Sequence, residues 1–241
     1  MALALVAAWP ASAVTGKARE LVVQADQLQA APSDESVRRA IALYEEASKL
    51  EPNSVEIQVK LADAALTMAA WTSEDKLRWY QLGKTAAERG VALAQNDAEA
   101  LFLLAATRGQ IASLEKNLGG VFVPQELERL LSRALASNPR HPRALHMMGV
   151  LLERTPAPLR LSMKGSASDA EKYFVAAVEA DPNFSEARLD LAKYYASRRQ
   201  TSQARAQLQA IVQMKSPTRP RAWREKHRPA AEALLKELPA E

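Results

Sequence analysis

Cysteine is absent from the 241 residues, which excludes a disulfide framework, a thiolate metal site, a thiol nucleophile and a lipid-modified cysteine on the chain as it stands. Aromatic residues make up only 5% of the chain, so a core has to be assembled from alanine and aliphatic side chains on closely approaching helices. No stretch alternates apolar and β-branched residues with polar ones for long enough to read as a strand, and the fold class is therefore all-α. No apolar run approaches the roughly 20 residues needed to span a bilayer. Histidine occurs three times, at His141, His146 and His227. The first two are five positions apart across a turn and a helix start, not four apart on one helical face as a zinc-binding HExxH needs. Neither GxxxxGK[ST] nor GxGxxG occurs, and Gly119-Gly120 reads as a hinge. The acid pairs Glu45-Glu46 and Glu74-Asp75 fall on polar helix faces or helix starts. These absences predict no catalytic residue, no metal and no cofactor, and hence a protein that is not an enzyme.

What the chain does have is 48% hydrophobic residues in a recurring pattern. Residues 170–192 read as the back half of an amphipathic helix, a stop at Asp181-Pro182-Asn183, and the first turns of a second helix. Tyr173, Phe174, Ala177 and Val178 share one face at the three-and-four spacing. Proline lacks the amide hydrogen and disfavours helix in the residue before it, so Asp181-Pro182 ends the first helix. The same unit recurs over residues 40–62, 83–105 and 127–149. Taken in order, the predicted helix pairs are 17–30 with 34–50, 55–70 with 75–94, 98–115 with 125–137, 143–154 with 168–180, and 185–197 with 202–214. Ser33 or Asp34 is placed to cap the second helix. After Pro217 and Pro220 a last helix over 222–238 caps the array, with a bend expected at Pro229.

The net charge of +4 hides an asymmetry. Residues 193–228 carry ten Lys or Arg against the single acid Glu225, a local +9, which leaves −5 for the remainder. No nucleic-acid motif accompanies these charges, so a solvated face is expected and no nucleic acid. Residues 1–13, MALALVAAWPASA, read as a possible signal-peptide remnant: an apolar run followed by the small-x-small site Ala11-Ser12-Ala13, without the usual positive start. That reading places the protein in the periplasm or outside the cell, and otherwise in the cytoplasm, with residues 14–241 as one repeat domain.

The repeated residues resemble the tetratricopeptide pattern. Large–small pairs stand at Leu61-Ala62, Leu104-Ala105, Met148-Gly149 and Leu191-Ala192. Second-helix triplets stand at Ala40, Tyr44, Ala47; at Gly83, Ala87, Gly90; at Leu127, Leu131, Ala134; and at Ala170, Phe174, Ala177. The terminating proline stands at Pro52, Pro139 and Pro182, with Gln95 in its place in one repeat. The resemblance implies a right-handed helix-turn-helix solenoid of about five repeats. The steps between these stops are 43, 44 and 43 residues, and the last, to Ser216, is 34. Against the family's usual 34 this predicts an insertion of about nine residues between the two helices of three successive repeats, around 70–76, 117–124 and 155–167. The lengthened repeats are loosely similar to the periplasmic T-component of TRAP transporters and to regulator of microtubule dynamics proteins; the absent cysteine departs from the former.

The resemblance also implies a concave face lined by first helices. Mapped onto the matching repeats it comprises Val59, Lys60 and Asp63; Phe102, Leu103, Ala106 and Gln110; Arg143, His146, Met147, Val150 and Arg154; and Leu189, Asp190 and Lys193. Apolar in the middle and charged at its ends, such a face suits an extended peptide or an elongated amphiphile better than a purely acidic tail, and the protein is expected to bind a protein partner as a scaffold or a transport-associated component. The family's Lys, Asn and Arg clamp for two carboxylates is not reproduced. A second surface is the insertion edge, where Phe122, Leu159, Leu161 and Met163 could form a lid and hold a hydrophobic small molecule. Trp71, Trp79 and Tyr80 belong to the same edge.

Overall fold

The computed structural model describes residues 14–30, 33–116, 124–161 and 163–239; the apolar opening segment, Gly119-Gly120 and Phe122 lie outside them. All regular structure among the described residues is helical. The chain divides into two compact units, residues 1–111 and 112–241.

The first unit contains α1 (Gly16–Ala30), α2 (Asp34–Leu50), α3 (Val55–Trp71), α4 (Lys76–Leu93) and most of α5 (Ala98–Lys116). Ser33 starts α2 by a reciprocal capping box, its Oγ accepting from Ser36 N at 3.1 Å while Ser33 N donates to Ser36 Oγ at 2.8 Å, which satisfies two amides that have no intrahelical acceptor. The helix stops where Glu51 N donates to Ala47 O, one residue before Pro52. Ala62, Ala64, Ala65 and Ala69 of α3 are fully buried, so α4 approaches very closely. A Cβ at Gly83 would stand 3.2 Å from Ala62 O and 3.1 Å from Thr107 Cγ2; only glycine fits without displacing a neighbour. Tyr44, Ile57, Met68, Leu101 and Leu103 fill the remaining space.

The second unit contains α6 (Pro124–Ser137), α7 (Pro142–Arg154), the single turn α8 (Ala157–Arg160), a 3-10 turn over Ala167–Asp169, α9 (Ala170–Ala180), α10 (Ser185–Ser197) and α11 (Thr201–Val212). It ends with α12 (Pro220–Ala222), a π-turn over Trp223–His227 and α13 (Arg228–Glu237). Phe174, Leu131, Leu152, Leu191 and Leu208 are its largest fully buried groups. Gly149 lets the Phe174 ring lie against α7, since a Cβ there would come within 2.8 Å of it. The closing helix covers a cluster of Leu189, Ala192, Leu208, Ile211 and Ala231, flanked by Trp223, Leu234, Leu235 and Leu238. The bend expected at Pro229 takes the form of the π-turn just before it. Proline at the second position of α13 has no amide to give the preceding turn, and the wider turn absorbs the missing bond.

The long repeats correct one expectation. In the repeat of 43 residues the extra length lies in the helices, α3 with 17 residues and α4 with 18, against 13 and 12 in α10 and α11. Only residues 72–75 connect α3 to α4, turning through Asp75 at φ 52°. Trp79 and Tyr80, expected just inside the next helix, lie in the first turns of α4 as buried packing groups. Between α7 and α9 the added residues do form a connection, because Pro156 and Pro158 prevent α7 from continuing.

Candidate binding surfaces

The face predicted on α7 is a true stripe. Arg143, Met147, Val150 and Arg154 recur at four, three and four positions, with Arg143, Met147 and Val150 half-buried and Arg154 exposed. His146 lies at the edge of the stripe, directed to α10. Its Nε2 is 3.0 Å from Asp190 Oδ2. A carboxylate can only accept, so Nε2 carries the hydrogen. The residue is 8% exposed, and its ring sits with centroids 5.3 Å from Phe184 and 6.0 Å from Phe174.

Asp190 also gathers two cations. Lys193 Nζ donates to its Oδ1 at 3.0 Å, and Arg154 Nη2 lies 3.7 Å from the same oxygen. Burial by itself would raise the Asp190 pKa, but the hydrogen bond and charge of His146, together with Lys193, outweigh it and hold the carboxyl well below the usual range. The carboxylate side chain is 12% exposed, whereas those of Arg154 and Lys193 are 63% and 51% exposed. One shielded anion therefore positions two solvent-facing cations. Leu189, the neighbouring predicted residue, is buried in the cluster under the closing helix, so it supports the face without presenting itself.

In the first unit the predicted face is largely closed. Lys60 Nζ donates to both oxygens of Asp26, at 2.9 and 3.0 Å. Tyr44 OH donates to the same carboxylate at 2.6 Å and accepts from Gln29 Nε2 at 3.1 Å. Burial first, and then the hydrogen bond to Asp26, push the Tyr44 phenol well above its ordinary value. Val59 and Asp63 are half-buried and Gln110 is exposed. Phe102, Leu103 and Ala106 are buried at 5%, 0% and 8% exposure, so a groove role for them is corrected to a packing role. The reason is visible in α5 itself: its opening AEALFLLAA is apolar all round, the pattern of a helix enclosed on every side.

Asp26 and Gln29, the partners of Tyr44, were missed in the sequence, although a signal existed for Asp26. Asp26 precedes Lys60 by 34 positions and His146 precedes Asp190 by 44, each close to one repeat step. Corresponding turns of successive first helices thus become neighbours.

The insertion edge is partly as expected. Leu161 and Leu159 are 89% and 41% exposed, while Met163 is half-buried. The base of this connection is fixed by Glu128, which accepts from Gly165 N at 2.7 Å and from Lys164 N at 3.0 Å. Two shallow depressions of about 500 and 570 Å³ lie elsewhere, lined respectively by residues of α9 such as Lys172 and Val175 and by residues of α1 such as Arg19 and Val23. Neither is lined by Leu159, Leu161 or Met163, so the two leucines do not cover either of them. The remaining histidines have local roles: His141 Nδ1 accepts from Ala144 N at 3.2 Å at the start of α7, and His227 Nδ1 is 2.8 Å from Ser185 Oγ. Among the described residues no group of three His, Asp or Glu is placed to hold a metal ion, and no helix is long and apolar enough to cross a membrane.

Comparison with known proteins gives a consistent result. The family model described as regulator of microtubule dynamics protein 1-3 matches residues 21–155, and a tetratricopeptide repeat model matches residues 161–226. No curated protein matches the chain. Among solved structures, a thermophilic TPR protein of Thermus thermophilus superposes with a TM-score of 0.64 at 19% identity, covering 88% of this chain and 98% of its own. The pilF protein of Pseudomonas aeruginosa gives a TM-score of 0.54 at 16% identity, covering 91% of this chain and 90% of its own. At these identities the likeness is one of fold, a tetratricopeptide-type all-α helical repeat.

Proposed function

The chain belongs to the regulator of microtubule dynamics protein 1-3 family, and from that membership and its repeat fold we propose that it is a non-enzymatic protein-binding scaffold whose partner segment lies along α7 and α10. The observation that carries this reading is the Asp190 cluster. Arg154 and Lys193 approach the same carboxylate oxygen at 3.7 and 3.0 Å, so their nitrogens are no more than about 7 Å apart, close enough for an incoming carboxylate to bridge them by charge-assisted hydrogen bonds. One anion against two cations leaves a local positive surplus. Met147 and Val150, half-buried beside it, offer an apolar floor. An acidic peptide with an aliphatic side chain next to its carboxylate fits both features.

The family's name makes microtubules and their regulators the partners to screen first. Residues 1–13 support export, and an exported chain would meet other partners, such as components of a transport system. A reporter fusion of residues 1–20 decides which screen applies: cleavage after Ala13 with an active exported reporter favours the second, and an uncleaved cytosolic fusion favours the first. The binding face itself is tested with fluorescein-labelled acidic peptides containing leucine. Arg154→Glu with Lys193→Glu is expected to weaken binding by roughly tenfold or more and to remove most of its salt dependence. Unchanged binding by the double variant, with helicity intact, would count against this face.

A further inference from the structure

On a different surface of the first unit, two arginines share one aromatic ring. Arg38 of α2 and Arg78 of α4 both direct their guanidinium groups at the Trp79 ring, with Cζ atoms 5.8 and 5.3 Å from its centroid. Trp79 is buried at 8% exposure, and both arginines are exposed. Some arginines of this chain are paired with acids, as Arg19 is with Glu56, Arg108 with Glu88 and Arg228 with Glu232. Arg38 and Arg78 form no ion pair with any described carboxylate. Two like charges drawn to one ring repel each other, and the attraction of each to the indole face is modest when exposed to water. A multivalent anion between them would relieve the repulsion.

We propose that Arg38 and Arg78, seated on Trp79, form a binding site for a phosphate group carried on a phosphorylated peptide. A guanidinium resting on an aromatic ring keeps its outer N–H groups free, and these present the planar fork that matches phosphate oxygens two at a time. A carboxylate satisfies one such fork; a phosphate has enough oxygens for two. The surroundings favour a point anion over an extended one. Asp34, Glu35, Glu74 and Asp75, exposed within one turn of Arg38 or Arg78, would repel an anionic bilayer laid over the site but leave a single phosphate its two partners. Leu77, 37% exposed beside Arg78, gives an aliphatic contact for a neighbouring peptide side chain.

The test uses the full chain and fluorescence anisotropy with a labelled phosphoserine peptide containing leucine, its unphosphorylated twin, inorganic phosphate as competitor, and vesicles of phosphatidylcholine with phosphatidylglycerol. The phosphopeptide is expected to bind at least roughly tenfold more tightly than its twin, and inorganic phosphate to displace it. Arg38→Gln with Arg78→Gln should abolish that preference. Arg38→Lys with Arg78→Lys, which keeps the charge but lacks the fork, should lose most of it. Equal affinity for the two peptides, a preference that survives both double variants, or failure of phosphate to compete would overturn the site. Vesicle binding that exceeds peptide binding and disappears in the glutamine variant would overturn the assignment to a peptide and give the phosphate contact to lipid headgroups. Both double variants change exposed side chains only, and circular dichroism checks that they remain folded. The α7–α10 face is not involved, so Arg154→Glu with Lys193→Glu should leave the phosphopeptide preference unchanged.

Discussion

The two units solve the same problem differently. Each places a carboxylate on one first helix opposite a cation or imidazole one repeat away, Asp26 against Lys60 and Asp190 against His146. In the first unit the account closes: one lysine and one tyrosine hydroxyl satisfy Asp26, whose side chain is 44% exposed. In the second the carboxylate is far better shielded and two further cations, half or more exposed, converge on it. Repeat geometry alone therefore creates paired polar groups, and the second pair differs in carrying surplus charge held in place by a group largely shielded from solvent.

The largest expected effect tests the packing on which both clusters stand. Ala177 is fully buried in a cluster with Leu145, Phe184 and Ala187. Ala177→Asp would place an unpaired carboxylate there at a cost of several kcal/mol, and thermal unfolding should show a large drop in Tm. An unchanged Tm would mean that α9 does not pack as described.

Next comes the comparison itself. Removing the shielded carboxylate by Asp190→Ala strips His146 and Lys193 of their acceptor, and should cost about 2 to 3 kcal/mol in urea unfolding. Asp26→Ala should cost only about 1 kcal/mol, because Lys60 returns to water and the remaining penalty is the Tyr44 hydroxyl. Equal losses would erase the distinction between the clusters.

The smallest effects lie in pH. His227 is held neutral by burial, with its pKa below the ordinary value of about 6.5. The unfolded chain therefore takes up the proton first, so this contribution to stability is complete above about pH 6.5 and declines as pH falls below it. Asp190, depressed, acts the same way lower down: its contribution is present above about pH 4 and is lost as pH falls through its folded value. Tyr44, raised, acts at the other extreme, contributing fully below about pH 10 and losing that contribution as pH rises. Acid should thus weaken the second unit through His227 and Asp190, and alkali the first through Tyr44. His227→Gln should flatten the slope of urea midpoint against pH between 7 and about 5.5, and Tyr44→Phe the slope above pH 10.

Much of the fold was legible in the sequence because tetratricopeptide packing depends on sterics. Ala62, Gly83, Gly149 and Ala177 mark places where helices nearly touch, and Pro52, Pro139 and Pro182 mark where they stop. Spacing alone could not say where the added residues go. Length compatible with helix, as in α3 and α4, extends the helix, whereas Pro156 and Pro158 force a connection. A candidate face was legible where a helix has two unlike sides, as in α7, where Arg143, Met147, Val150 and Arg154 stand apart from buried Leu145, Met148 and Leu152. In α5, apolar on every side, periodicity offers no face to choose, and Phe102 and Leu103 could not be separated from the core. Asp26 was hidden for another reason: its role depends on Lys60 a full repeat away, a relation that no local pattern contains.

The central claim, that the α7–α10 face is the partner surface, is tested most directly by methyl NMR of the full chain during titration with an acidic, leucine-containing peptide. Met147 reports on the apolar floor from within the stripe, while Met68, fully buried in the first unit, serves as the internal reference. The Met147 methyl is expected to shift in a saturable way, with Met68 unmoved, and the shift should vanish in Arg154→Glu with Lys193→Glu. Saturable peptide binding that leaves Met147 unshifted, or that persists in the double variant, would contradict it.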